Sequence, residues 1–152
     1  MDCSNSRKTR LVLLAEGFLL LRIALFAAAV PLLARIPVRR LASVLEPSNP
    51  RLEVDALQTE RVIRLTGLVC RYGRPLIARL CLTRGFTHYF FLRRAGVDAS
   101  LVFGLGKVND VFAGHCWLVR DGEPYLETTD PRPLFTAIHS IGGASRIDGA
   151  NP

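Results

Sequence analysis

Apolar positions follow three different rhythms along this chain. From Leu11 to Leu45 they run almost without pause, as Leu, Ala, Val and Phe broken only by Glu16, Arg22 and the stretch Arg35-Ile36-Pro37-Val38-Arg39-Arg40. Glu46-Pro47-Ser48-Asn49-Pro50 is the first clear break, rich in turn-forming residues. Asn49 there is a helix-capping residue with Pro50 at the first helical position. Val54, Leu57, Arg61, Leu65 and Leu68 then recur at helical spacing until Tyr72-Gly73, and Arg74-Pro75 opens a short connection. A second helical pattern starts at Cys81, with Leu82, Phe86, Tyr89, Phe90 and Arg93 on one side, and stops at Gly96. Beyond Gly96 the period becomes that of strands. Ala99 to Leu105 is expected to be one, ended by Gly104-Leu105-Gly106. Ala113 to Val119 is a second and Pro124 to Thr128 a third, joined at Asp121-Gly122. Pro131, Pro133 and a Gly/Ser-rich tail from Ile141 close the chain.

These rhythms predict an α+β fold: apolar N-terminal helices over residues 1–48, a core over 49–140, and a flexible tail over 141–152. In the core, a helix bearing Cys81 packs on a small antiparallel sheet. The segment 11–45 has three readings. A signal peptide fits poorly, because the apolar stretch is long and an Arg-rich stretch follows it. A membrane span would carry Arg22 in mid-segment, and the longest charge-free run, Ile23 to Ala34, has 12 residues, short of the roughly 20 a span needs. A helical pair, either buried or in membrane-surface contact through residues 11–45, is preferred, in a protein whose cysteines, read as reduced thiols, place it in the cytoplasm.

Composition narrows this further. With 152 residues, 49% hydrophobic and 22% charged, the chain is too apolar for disorder and long enough for one core. Its net charge of +7 would fit nucleic acid, but the Arg residues are scattered without an aromatic-interleaved stripe, so no nucleic-acid partner is assigned. Cys3, Cys70, Cys81 and Cys116 form no C-x-x-C pair, which disfavours a zinc ribbon or a thioredoxin-type site and leaves reduced thiols. A metal site from Cys70, Cys81, His115 and Cys116 lacks any spacing signal.

Cys81 and His115 carry the strongest candidate chemistry. A thiolate at a helix start is favoured by the dipole and free amides, and a histidine arriving on a packed strand can take the thiol proton. A carboxylate on a neighbouring strand then fixes the ring, which is the order of papain-like and transglutaminase-like enzymes. Against this stands a buried Cys as simple packing. His88 lies two helical turns from Cys81, roughly 10.5 Å of rise, too far for direct proton transfer. Cys116 points to the opposite strand face from His115 and belongs to the core. His139 has no evident role.

The segments Cys81-Leu-Thr-Arg-Gly, Leu92-Arg-Arg-Ala-Gly-Val-Asp-Ala-Ser-Leu-Val-Phe-Gly and Gly114-His-Cys-Trp-Leu-Val-Arg-Asp-Gly together resemble the lasso-peptide leader peptidases, which are transglutaminase-like cysteine proteases. The resemblance covers roughly residues 52–135 and rests on the ordered set of motifs. It implies Cys81 as nucleophile and His115 as base. The family's usual Asp, twelve residues after the His, is here Glu127, with Asp130 as the fallback. Hairpin register discriminates. A two-residue Asp121-Gly122 loop sets His115 opposite Thr128 and turns Glu127 away, whereas a three-residue Arg120-Asp121-Gly122 loop sets His115 opposite Glu127. The triad is expected to use the three-residue loop.

The resemblance further implies removal of a leader from a ribosomally made precursor peptide, cut beside a penultimate leader Thr, with the core passed to a macrolactam synthetase. About eighty residues precede Cys81 and read as helices without strands, so the stand-alone form is expected, served by a separate leader-recognition protein. No Gly-x-x-x-x-Gly-Lys-Ser/Thr loop occurs, so no ATP or other cofactor is assigned. Two alternatives remain open: a transglutaminase-like acyltransferase, and a non-catalytic, membrane-associated peptide-binding scaffold.

Overall fold

A computed structural model describes residues 3–48, 53–73, 77 and 81–142. The order of elements is α1 (Cys3–Leu33), α2 (Val38–Leu45), α3 (Ala56–Tyr72), α4 (Cys81–Arg94), β1 (Ser100–Val108), β2 (Val111–Arg120), β3 (Glu123–Tyr125) and β4 (Phe135–Ile141). The α+β architecture is as the sequence predicts: helices packed on a four-stranded antiparallel sheet ordered β3-β2-β1-β4.

The apolar N-terminal run is one long helix and one short one. Pro31 falls in the last turn of α1, so the ladder donor it removes, the one to the Ala27 carbonyl, is lost where the helix is about to end. Leu19, Ile23, Ala27 and Val30 recur at three- and four-residue spacing and are buried in the same core as residues of α3, α4 and the sheet. Phe26 stacks on Phe90 with ring centroids 4.2 Å apart and meets Phe91 edge-on at 5.8 Å. Glu16 reaches Arg64 at 3.0 Å and Arg61 at 3.7 Å on α3. Residues Leu19 to Leu45 of this segment thus contribute buried side chains to the common core.

The α3 cap is displaced from its expected place. Asn49 and Pro50 lie outside the described residues, and Asp55 caps the helix, its side chain accepting from the Gln58 amide at 2.9 Å. The Asp55 amide donates to the Ala95 carbonyl at 2.9 Å, tying this cap to the end of α4. Gly96 has φ +89°, and a Cβ there would lie 2.2 Å from the Glu53 carbonyl oxygen, so glycine is the residue that fits this helix stop.

Two strand expectations need correction. The glycines of Gly104-Leu105-Gly106 do not end β1, which continues to Val108 and turns through Asn109 and Asp110, both at positive φ. They serve close approach instead. A Cβ on Gly104 would meet the Trp117 ring at 2.8 Å, and one on Gly106 the Leu134 carbonyl oxygen at 1.9 Å. No strand is expected after Thr128, yet Phe135–Ile141 pairs with β1 as an edge strand, across a register shift at Phe103/Gly104. Ile141 is buried at its end, and the rest of the expected tail, 143–152, lies outside the described residues.

Candidate active site

Cys81 is the first residue of α4, where unpaired amides and the helix dipole favour a thiolate. One turn on, Gly85 faces the sheet. A Cβ there would touch Cys116 Sγ at 3.0 Å, so the glycine lets β2 come close to the helix below Cys81. The Cys81 thiol is half-buried, with Cys116 and His115 as the neighbours that favour its ionised form. Its pKa is lowered from 9.0 to about 5, chiefly by the Cys116 thiol, then by the Cys116 backbone and by His115, against the opposing effect of burial. Cys116 is buried in the core and its own pKa is pushed up, first by its bond to Cys81 and then by burial. Of the two thiols, Cys81 is the one shifted toward the thiolate and Cys116 the one shifted toward the protonated form.

His115 lies on β2, between the Trp117 ring, nearly parallel at 5.9 Å, and the Phe135 ring at 5.1 Å. These neighbours limit its rotation. Glu127 Oε2 lies 3.6 Å from His115 Nε2, a distance that leaves room for only a weak direct contact. Glu127 also receives the Arg84 guanidinium, whose Nη2 bonds the other carboxylate oxygen. Arg84 is one turn along α4 from Cys81. It fixes Glu127 and gives the site a positive charge.

Glu127 arrives by a route other than the expected hairpin. Arg120 pairs with Glu123, Val119 with Pro124 and Leu118 with Tyr125, which makes the loop the two residues Asp121 and Gly122, with φ +53° and +83°. The three-residue loop is therefore incorrect. Extended in that register, the strand would carry Glu127 away from His115. It is not extended: β3 stops at Tyr125, and Leu126 takes φ +63°. A bulky residue in the left-handed region is uncommon and strained, and here it reverses the alternation of side chains just before Glu127. The fallback Asp130 is turned onto Arg132 at the surface, with carboxylate contacts of 2.7–3.0 Å.

Cys81 and His115 stand at the junction of two hollows. One, of about 600 Å³, continues past the charged side chains of Arg84, Glu127 and Arg71 and past Thr128. The other, of about 330 Å³, is walled by Leu82, Phe103, Leu105 and Ile138. A chain laid across both would pass its backbone over the thiol. His88 is buried and kept neutral by burial and by Arg84, its pKa lowered to about 4. His139 sits on β4 beside Phe103. Among the described residues no group of His, Cys, Asp and Glu is arranged to hold a metal ion.

Sequence reasoning left two members of this cluster without a role. Arg84 was within sight, as the Arg of Cys-Leu-Thr-Arg. Strand alternation places Cys116 in the core. That placement holds, but alternation does not reveal that the core side of β2 also neighbours the thiol of Cys81. In comparison with known proteins, residues 19–140 match the model of the transglutaminase-like superfamily. No curated protein matches the chain, and no solved structure does.

Proposed function

The chain belongs to the transglutaminase-like superfamily, whose members are usually cysteine proteases or acyltransferases, and we propose that it is a cysteine peptidase removing the leader from a lasso precursor peptide. The observation that carries the chemistry is the meeting of Cys81, His115 and Glu127 in one cleft. The lasso assignment rests on the resemblance of the three motif segments.

In this reading the Cys81 thiolate attacks the scissile carbonyl, and backbone amides at the start of α4 face the developing oxyanion. His115, protonated, donates to the departing amine of the core peptide, leaving the leader as a thioester on Cys81. Neutral His115 then activates water, which releases the leader acid and the free thiolate. Glu127, held by Arg84, orients the imidazole. The smaller, apolar hollow accepts a side chain next to the scissile bond, and the larger one, lined by Arg84, Glu127 and Thr128, accepts the continuing backbone.

The core leaves with an unblocked amine, the group a macrolactam synthetase must acylate. A separate leader-recognition protein would raise the local concentration of precursor. Cytoplasmic location follows from such partners. An acyltransferase uses the same thioester but resolves it with an amine. The test is mass analysis of products from the precursor peptide incubated with this protein, with and without the leader-recognition protein. Leader acid plus free-amine core, formed faster with the partner, supports the peptidase. A leader amide of an added amine identifies the acyltransferase, and no product in either case refutes both.

A further inference from the structure

α1 presents two opposite apolar faces. One, through Leu19, Ile23, Ala27 and Val30, is buried in the core. On the other, Leu14, Phe18, Leu21, Leu25, Ala28 and Leu32 follow one another at three- and four-residue intervals and all are exposed, Leu14 at 71%, Phe18 at 63% and Leu32 at 64%. At 1.5 Å per residue this stripe is about 27 Å long, and it contains no charged or polar side chain. Exposed apolar surface this continuous marks an interaction site rather than ordinary surface composition.

We propose that this stripe lies in the plane of an anionic membrane surface and holds the protein there. Charge selects the occupant. Exposed Arg10 precedes the stripe and exposed Arg35 and Arg40 follow it, so cations bracket both ends, and the chain carries +7 overall. Arg22, at the margin of the stripe, leans on the rings of Phe18 and Phe91, with its guanidinium carbon 5.8 and 5.9 Å from their centroids. That lifts its charge to the edge of the buried band, as an amphipathic arginine does at an interface. Glu16, the acidic residue of α1, is turned to Arg61 and Arg64 on the core side. The lipid-facing side therefore offers apolar contact and positive charge together, the combination that binds anionic headgroups.

The helix Arg10–Leu33 is long and apolar enough to cross a membrane, but crossing would pull Leu19, Ile23, Ala27 and Val30 out of the core and break the Glu16 pairs. Lying flat keeps both faces satisfied. The inference is independent of the peptidase reading, since it uses no residue of the cleft.

The test is flotation of the purified full chain with vesicles of phosphatidylcholine alone and with about one third phosphatidylglycerol. Binding to the anionic vesicles is expected, weaker by about tenfold on neutral ones or in high salt, and released by alkaline carbonate. Leu21→Asp with Leu25→Asp should lose binding by at least tenfold while Cys81 keeps its parental alkylation profile. Should that pair misfold, Arg35→Gln with Arg40→Gln leaves the core untouched and should weaken only the anionic binding. Absence of vesicle binding, carbonate-resistant insertion, or a stable dimer that ignores vesicles would each overturn the proposal.

Discussion

Replacing Cys116 with Ala tests the electrostatics of the nucleophile, because that thiol is the largest influence lowering the pKa of Cys81 from 9.0 to about 5. At pH 7 a thiol at about 5 is ~99% thiolate, whereas one at 9.0 is ~1%. Four influences lower it, two from Cys116 and two from His115, and burial opposes them. The net fall is about four pH units, so the largest of the four contributes more than about one. Half the surroundings of Cys81 are solvent, which screens the charges, and a rise of about one pH unit in the midpoint is the conservative expectation. The assay is the pH dependence of iodoacetamide alkylation at Cys81, followed by peptide mass so that Cys70 and Cys116 are counted separately. The parent protein should show a midpoint near 5. Cys116→Ala should shift it upward by at least about one unit, and Cys116→Ser, which keeps a donor, should shift it less. An unchanged midpoint in folded Cys116→Ala, or a parent midpoint near 9, would refute the reasoning.

Glu127→Gln should lower kcat by roughly ten- to a thousandfold while leaving residual turnover, since an orienting group is lost and the dyad stays. Asp130→Asn should leave kcat within about twofold, and a larger loss there would move the third role to Asp130. Gly106→Ala should destabilise the fold by more than about 2 kcal/mol in urea titration, because its Cβ would meet the Leu134 carbonyl oxygen at 1.9 Å. A near-neutral result would mean that the β1–β4 pairing is misplaced. His88 is held neutral with its pKa lowered from 6.5 to about 4. Its contribution to stability is therefore complete above pH 6.5 and lost as pH falls through about 4, at most about 3 kcal/mol. His88→Leu should flatten that part of the urea-midpoint profile, and an identical slope in both proteins would contradict the assignment.

How far the sequence reveals this site differs by residue. Cys81 at a helix start was legible because the period changes there and Gly96 ends the pattern fifteen positions on. His115 was legible from its strand. Glu127 was reachable by spacing but not by register, because pairing rules assume a regular strand and Leu126 leaves it in a left-handed turn. The glycines at 104 and 106 read as strand ends, since local propensity does not contain the Trp117 ring or the Leu134 carbonyl that require them. The edge strand Phe135–Ile141 was hidden by Pro131 and Pro133, which end the preceding loop rather than the sheet. In α1 the long apolar run gave no amphipathic signal. Both faces are apolar, and only the packing separates the buried one from the exposed one.

The central claim is that Cys81 forms the covalent intermediate, and the most direct measurement is the intact mass of the protein quenched in acid during turnover of the precursor peptide. The account predicts a species heavier by the leader acyl group, lost on treatment with hydroxylamine and absent from Cys81→Ala, which also fails to cleave. Cleavage by Cys81→Ala at the parent rate, with no acylated protein in either sample, would contradict it.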